Sequence, residues 1–238
     1  MPLDAGQDAP RPPALGVPAS CEDATQNTFL QKTPHIITGG EKNVAEGFTD
    51  SIGGGFENKA TGTEAASVSG GLLNEAGGTA QSSVSGGSRE NEATGVQSWV
   101  GGGYLNKAEA EWTSVSGGNV NTASLIAASV SGGYQNTASG SSSSVSGGQD
   151  SNAKGTTSSV SGGSRNEAEG GQSSVSGGIS NIAKGTHSSV SAGQGNKAEG
   201  EFSSILGGED NTLEAAGMWA TIVGEAGIKF STPKKVGG

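Results

Sequence analysis

The stretch SSVSGGSRNEAEGGQSSVSGG, residues 158–178, returns to its first six letters after 15 positions. The same phrase recurs along the chain as Ser-Val-Ser-Gly-Gly-x-x-Asn-x-Ala-x-Gly-x-x-Ser, with one branched apolar anchor per copy. A short fixed period makes each unit one supersecondary element that buries its apolar face only against its neighbours, so the repeat predicts a solenoid. The anchors are Ile37, Ile52, Val68, Val84, Val100, Val115, Val130, Val145, Val160, Val175, Val190, Ile205 and Ile222.

The regular spacing of these anchors outweighs the composition of the chain. Aromatic residues make up only 4 % and hydrophobic residues 31 %, and 44 of the 238 residues are glycine, which is typical of a flexible chain. A disordered tract has no reason to keep valine, asparagine and alanine at fixed offsets. We therefore expect an all-β fold, a parallel β-solenoid or β-roll of about 13 coils with a 15–16-residue repeat.

Each repeat has room for two short strands. In Ser144-Val145-Ser146 the period-2 alternation places the valine on one side and both serines on the other. The glycine pair that follows predicts a turn with unusual φ values or a close backbone approach. An alanine further on, between variable polar residues, predicts a second strand with a narrow inward face. The predicted core valines are Val100, Val115, Val130, Val145, Val160, Val175 and Val190.

An asparagine follows each glycine pair. Its side-chain amide can bond local backbone, which suits a corner, and stacked coils would align these amides into a ladder. Asn91 and Asn152 are expected to take the same role, each displaced by one residue. The regularity of the set indicates a structural role rather than a catalytic one. The predicted ladder residues are Asn106, Asn121, Asn136, Asn166, Asn181 and Asn196.

Composition also divides the chain into four parts. Residues 1–20 are expected to be a flexible leader, since five of the seven prolines lie within residues 1–18. Residues 21–35 are expected to form an N-terminal cap or transition, and residues 36–223 the repeat array. Residues 224–238 are expected to be a C-terminal cap remnant and tail, because an open solenoid end exposes both core and strand edge.

Charge and cysteine content exclude several classes of partner. A net charge of −10 and a pI near 4.6 disfavour nucleic acid and anionic membranes. No run of 18 apolar residues is present, so we expect no membrane span, and the N-terminus lacks the blocks of a signal peptide. Cys21 is the only cysteine, which leaves either an inert thiol or an interchain disulfide in an oligomer.

The chain shows no motif for catalysis or for metal binding. His35, His187 and Cys21 do not have the spacing of metal ligands. A nucleophile elbow, a calcium nonapeptide and a phosphate loop that opens a helix are all missing. We therefore expect a protein that is not an enzyme, with no catalytic residue, no metal site and no cofactor.

A lone roll of this composition buries little besides one valine per coil. Association of several chains through a small-residue face would help to offset the conformational entropy lost on folding. The uncharged Ser-Val-Ser strand is the candidate for that face, either between chains or as an exposed surface. The serines concerned are Ser129, Ser131, Ser144, Ser146, Ser159, Ser161, Ser174 and Ser176.

The repeat resembles the head repeat of YadA-like trimeric autotransporter adhesins over residues 36–223. The resemblance implies a left-handed parallel β-roll, a homotrimer, an extracellular or cell-surface location and a cell-surface, matrix or glycan ligand. This chain has glycine where the family has an isoleucine after the valine, and its common period is one residue longer. It also shows no heptad stalk and no membrane anchor, so we expect a head or shaft segment. The matching positions in one coil are Ser174, Val175, Gly178, Asn181, Ala183 and Gly185.

The expected function is a non-enzymatic structural or adhesive module, a rigid extracellular rod that mediates surface attachment or self-assembly. One alternative is an ice-binding solenoid whose Ser-x-Ser ranks are about 4.7 Å apart between coils and nearly 7 Å apart along the strand. Another is a carbohydrate-binding β-helix. That activity would use Trp99, Trp112 and Trp219 as stacking platforms, although their scatter favours packing or cap roles.

Overall fold

The chain winds into a parallel β-solenoid of about 13 turns with a repeat of about 15 residues. This computed structural model describes residues 20–22, 26–30, 35–214 and 219–231, and it contains no helix within those ranges. The all-β solenoid predicted from the repeat is confirmed. Each turn contributes one two-residue strand to each of two long sheets, which we call the valine sheet and the alanine sheet.

The valine sheet has 13 strands, and every neighbouring pair is parallel. Equivalent residues face each other across the coils, so that Val130 pairs with Val115 on one side and with Val145 on the other. Its strands are Ile36–Ile37, Ser51–Ile52, Ser67–Val68, Ser83–Val84, Trp99–Val100, Ser114–Val115, Ser129–Val130, Ser144–Val145, Ser159–Val160, Ser174–Val175, Ser189–Val190, Ser204–Ile205 and Thr221–Ile222.

The alanine sheet has 15 strands, and only its first pair, at the N-terminal edge, is antiparallel. Ala138, for example, pairs in parallel with Ala123 and Ala153. Its strands are Ser20–Glu22, Thr28–Leu30, Val44–Ala45, Lys59–Ala60, Glu75–Ala76, Glu92–Ala93, Lys107–Ala108, Thr122–Ala123, Thr137–Ala138, Asn152–Ala153, Glu167–Ala168, Ile182–Ala183, Lys197–Ala198, Thr212–Leu213 and Lys229–Phe230.

A third line of parallel pairing follows the corner after the glycine pairs. Single bridges join residues such as Tyr134, Asn119 and Gln149 from coil to coil. At the C-terminal end this line widens into a two-stranded sheet, Gly208–Glu209 with Glu225–Ala226. The opposite corner adds a fourth line, in which the Ser142 N–H, for example, donates to the Ile126 carbonyl. Backbone hydrogen bonds therefore tie each coil to the next along four lines, which compensates for the small side chains.

The core between the two sheets is thin. Each regular coil places one valine and one alanine inside, and the seven predicted core valines are at most 1 % exposed. The alanines of the opposite sheet, such as Ala138 and Ala153, are fully buried. Since branched and small side chains alone fill this space, a chain with few apolar residues can still enclose a continuous core.

The stack extends beyond both ends of the predicted array. Strand Thr28–Leu30 already pairs in parallel with Val44–Ala45, and strand Lys229–Phe230 pairs with Thr212–Leu213. The last coil was not predicted from the sequence, because Ile228 stands where earlier coils have asparagine. The Ile228 N–H still donates to Asn211 Oδ1. Residues 1–19 of the predicted leader, residues 23–25 and 31–34 of the predicted N-terminal cap, and residues 232–238 of the predicted tail lie outside the described residues.

The longer coils near the N-terminus take up their extra residue at two different corners. The connections from Ala60 to Ser67 and from Ala76 to Ser83 are one residue longer than in the regular coils. The glycine corner between Val84 and Glu92 is also one residue longer. In-register pairing continues through all three sites, because insertions confined to corners leave the strands in place.

Two non-glycine residues in most regular coils adopt the left-handed conformation. In one coil they are Gln135 and Ser142, both with φ of 55°. Each lies at a corner, and each amide is held by a backbone carbonyl of the preceding coil, Asn119 and Ile126 respectively. Even the β-branched Val120 adopts a φ of 57°. The coil geometry thus imposes a conformation that these residues disfavour on their own.

Candidate functional site

The asparagine side chains form a hydrogen-bonded ladder inside the corner after each glycine pair. Asn181 Nδ2 donates to the carbonyl oxygens of Gly177 and Gly193, both at 2.9 Å. Its Oδ1 accepts the backbone N–H of Asn196 at 3.0 Å, and its own N–H donates to Asn166 Oδ1 at 3.0 Å. Each side-chain amide therefore joins its own coil to the next one, and the backbone N–H of the same residue binds the amide of the preceding coil.

All six predicted ladder asparagines occupy this position and are fully buried. The ladder also includes residues that sequence reasoning placed differently or missed. Asn91 is in register rather than displaced, because the corner before it holds the extra residue. The interpretation of Asn152 was wrong: Ser151 takes the ladder position, and the half-buried Asn152 lies in the alanine sheet strand. Asn27 was missed, whereas Asn43, Asn58, Asn74 and Asn211 were expected from the repeat and also belong to the ladder.

A second row of buried polar side chains runs along the other corner, just before each valine strand. Ser98 and Ser203 donate their hydroxyls to the carbonyls of Gly95 and Gly200, at 2.8 and 2.6 Å. This row was not predicted, although every regular coil carries a serine, threonine or alanine two residues before the valine. Within the described part of the chain the hydroxyls of Ser158, Ser173 and Ser188 are buried without a hydrogen-bond partner.

We expect Ser173→Ala to leave the stability unchanged or raise it by up to about 1 kcal/mol, because the substitution removes an unpartnered buried hydroxyl. The matched variant Ser203→Ala removes a made hydrogen bond and should cost about 1 kcal/mol. Ala66 and Ala128 already occupy the equivalent position in two other coils. Urea unfolding of both variants provides the comparison, and equal losses would contradict the assignment.

The one acidic residue in this buried row is Asp50. Its carboxylate accepts the backbone N–H of Gly47 at 2.7 Å and that of Ala66 at 2.8 Å. Burial nevertheless raises the pKa of the Asp50 carboxyl above its usual range, since the loss of hydration outweighs these donors. The folded chain therefore holds this proton more tightly than the unfolded chain does.

This raised pKa gives a signed prediction for pH dependence. Between the ordinary carboxyl pKa and the raised one, the folded state binds more protons at Asp50, so its contribution to stability falls as pH rises. Relative to Asp50→Asn, the wild type should gain stability on acidification through that window. Thermal melts across the acidic range measure the difference, with the exposed-corner variant Asp210→Asn as control. A wild-type advantage that grows with pH would contradict the sign.

The outer surface of the valine sheet carries two parallel ranks of serine, from Ser114 and Ser116 to Ser189 and Ser191; we call this surface the serine face. The strands along it pair in register. No charged side chain lies in its ranks. Of the predicted face residues, Ser129, Ser144, Ser159 and Ser174 are half-buried, whereas Ser131, Ser146, Ser161 and Ser176 are exposed.

Bulky side chains limit the serine face at both ends. Trp99 replaces a serine in the preceding coil, is 38 % exposed and donates its Nε1–H to Ser85 Oγ at 2.9 Å. Its ring lies over Gly101, which stands where the next coil has the exposed Ser116. At the other end Leu206 replaces a serine and is 49 % exposed. Six consecutive coils between them form one uninterrupted flat tract.

The glycines beside the serine face are not required by packing within the coil. A Cβ added at Gly147, Gly162 or Gly177 would meet no heavy atom within 4 Å, and their φ values are not in the left-handed region. Ala192 takes this position in a later coil. The second glycine of each pair differs, since Gly178 has a φ of 90° and lies against the next coil. Because the first glycine has no side chain, nothing projects from the surface beside the serine ranks.

The outer surface of the alanine sheet is charged instead. Lys107 pairs with Glu92 at 2.9 Å, and Lys154 pairs with Glu167 at 2.8 Å and with Glu169 at 3.3 Å. Hydrogen bonding to Glu92 raises the pKa of Lys107, and hydrogen bonding to Lys154 lowers that of Glu167. Such partly exposed pairs contribute about 0–1 kcal/mol each. Their main effect is to distinguish this surface from the neutral serine face.

The aromatic residues are spread over different parts of the surface. His187, Phe202 and Trp219 stack along one corner, with ring centroids 4.6 and 4.3 Å apart. Trp112 lies in the same corner row but far from that stack, with its Nε1–H donated to Gln97 Oε1 at 2.5 Å. Trp99 lies on the valine sheet, so the three tryptophans do not share one platform.

Among the described residues, no group of three or more histidine, cysteine, aspartate or glutamate side chains lies close enough to share a metal ion. Within the same ranges, no helix has the length and apolar character needed to cross a membrane. The chain matches no protein-family model, and no curated protein is significantly similar to it.

Proposed function

We propose that this chain is a non-enzymatic structural or adhesive module: a rigid extracellular or cell-surface rod that associates with copies of itself and mediates attachment. The observation that carries the proposal is the uninterrupted in-register stack, in which four lines of backbone bonds and one ladder of buried polar side chains link the coils. Thirteen coils at the inter-strand spacing give a rod on the order of 60 Å. Such a rod suits display and spacing.

The serine face is the surface we assign to self-association, in a homotrimer. On a chain with a net charge of −10, it is a long tract without charge, so copies can approach there without like-charge repulsion. The first glycines of the pairs, which packing within the coil does not require, lie beside this face and allow the backbones of two chains to approach each other closely. Trp99 and Leu206 would then fix the limits of the contact along the rod.

Sedimentation analysis of the purified chain tests this assignment. We expect a trimer, and the double variant Ser146→Lys/Ser161→Lys should reduce it to a monomer by placing charges in the contact. The control Ser124→Lys/Ser139→Lys places the same charges on the alanine sheet, where Lys154 already stands in the same row. A monomeric wild type, or equal effects of both double variants, would refute the proposed interface.

Attachment is tested separately with beads that carry the purified chain. Retention of the beads on cells, on extracellular matrix or on a glycan array supports the adhesive role. Beads that carry a chain unfolded by a ladder substitution serve as the control. Retention equal to that control on all three surfaces would leave a rod without an adhesive function.

A second candidate function rests on the flat tract between Trp99 and Leu206. Its two hydroxyl ranks, one exposed and one half-buried, lie nearly 7 Å apart along each strand and repeat at about 4.7 Å between coils, which is the kind of regular array that an ice-binding surface presents. Thermal hysteresis and ice shaping by the purified chain would favour this function. Their absence, together with a trimer, favours the structural role.

A further inference from the structure

The asparagine ladder has one coil in which a serine stands in place of the amide. Ser151 N–H donates to Asn136 Oδ1 at 3.0 Å, as the ladder requires. Its hydroxyl donates to the carbonyl of Gln149 at 3.2 Å. On the other side Asn166 N–H is 3.4 Å from Ser151 Oγ, longer than the 3.0 Å that separates Asn181 N from Asn166 Oδ1. The ladder therefore continues through this coil by a weaker link.

The neighbouring coils show what the missing amide group does. Asn136 Nδ2 donates to the carbonyls of Gly132 and Gly148, at 2.9 and 3.0 Å. Asn166 Nδ2 does the same for Gly162 and Gly178, at 2.8 and 3.0 Å. By register, the amide nitrogen at position 151 would bridge Gly147 and Gly163. Serine has one polar side-chain atom and cannot reach both carbonyls while it holds the next coil.

This coil has free space at the position that the asparagine amide nitrogen occupies in the flanking coils. At Gly163 an added Cβ would meet Asn166 Nδ2 at 2.5 Å, whereas at Gly148 its nearest neighbours are backbone atoms only. Serine lacks two of the heavy atoms of asparagine, and a water molecule takes up about 30 Å³ in the liquid. Ser151 itself is fully buried, so the site is polar, enclosed and of the right size for one molecule.

We propose that this coil binds one ordered water molecule as a built part of the ladder. The water lies at the position that the amide nitrogen takes in the flanking coils and donates to the carbonyls of Gly147 and Gly163. The Ser151 hydroxyl is its third partner: it turns its one proton from the Gln149 carbonyl to the water oxygen, and the Gln149 carbonyl keeps the Arg165 N–H as its donor. Three partners are typical of a buried water, and the water gives the Gly147 carbonyl a donor that would be costly to lack. The Gly163 carbonyl already accepts the Gln149 N–H and takes the water as a second donor. The inference concerns the folding unit and is independent of any adhesive role.

High-resolution crystal structures of the wild type and two variants test the site. In the wild type we expect a density peak about 2.7–3.1 Å from both carbonyl oxygens. Ser151→Asn should replace that peak with its own amide nitrogen and raise the midpoint of unfolding. Asn181→Ser should create a second peak, between Gly177 and Gly193.

Two outcomes would overturn the proposal. One is an ordered wild-type coil with no peak between the Gly147 and Gly163 carbonyls, or with the Gly147 carbonyl turned toward a protein donor. The other is an Asn181→Ser structure in which the coils close together without a new peak. In solution, magnetisation transfer from water to the Asn166 amide proton should be strong in the wild type and absent in Ser151→Asn. Equal transfer in both proteins would also count against the site.

Discussion

Gly178→Ala is expected to destabilise the solenoid by about 3–5 kcal/mol. Gly178 has a φ of 90°, and a Cβ there would overlap the carbonyl oxygen of Gly193 and press on Asn181 Nδ2. Backbone strain of this kind costs about 1–3 kcal/mol. Overpacking against a neighbour that cannot move costs about 1–3 kcal/mol more. Because the overlapped atom belongs to the next coil, the substitution forces two coils apart.

The adjacent Gly177→Ala is the matched control. An added Cβ at Gly177 meets nothing within 4 Å, its φ is not in the left-handed region, and Ala192 holds the same position one coil later. We expect this variant to stay within about 0.5 kcal/mol of the wild type or to gain slightly from reduced freedom of the unfolded chain. Urea unfolding followed by circular dichroism measures both variants.

The comparison also separates folding from association. If the serine face mediates self-association, Gly177→Ala should weaken the oligomer while leaving the fold intact, since its methyl group lies beside that face. Gly178→Ala should lower the stability of the fold itself. Equal losses of stability in the two variants would show that the first glycine has a role inside the coil, contrary to the open space around it.

The sequence predicts the parts of this fold that depend on residue type at a fixed offset. The valine, the alanine and the asparagine that recur at fixed offsets each have one environment in the coil, so their period reveals the two sheets and the corner between them. Serine has three: Ser143 is buried, Ser144 is half-buried and Ser146 is exposed. All three positions hold the same residue type, so the sequence does not distinguish them by composition. The alternation of serine and valine identifies the two outward serines but not the buried serine that precedes them.

Other features leave no signal because the coil imposes them on ordinary residues. The left-handed corners hold Gln135, Ser142 and Val120, not the glycine or asparagine that would announce such a conformation. At Ser151 and Asn152, two adjacent residues both suit a corner, and only the pairing of Ala153 with Ala138 decides which one points inward. The sequence likewise does not show that the stack continues to Phe230, because Ile228 replaces the ladder asparagine in the last coil.

Asn181→Ala is expected to cost about 2–5 kcal/mol, because it removes the side-chain amide that joins its own coil to the next one. The Asn196 N–H loses its acceptor and the Gly177 carbonyl loses its donor, and each buried group left unpaired costs about 1–3 kcal/mol. The Gly193 carbonyl still accepts the Ile179 N–H, so it adds little. Asn181→Asp should cost more than alanine, since it keeps the shape but buries a carboxylate against two carbonyl oxygens.

Asn152→Ala is the control that makes this prediction specific to the ladder. Asn152 is also an asparagine in a corner sequence, but it is half-buried in the outward row of the alanine sheet and should change stability by no more than about 0.5 kcal/mol. Since each coil contacts only its neighbours, the Asn181 variants should also broaden the unfolding transition, as the segments on either side melt apart. Equal effects at positions 152 and 181 would show that the amides do not hold the coils together.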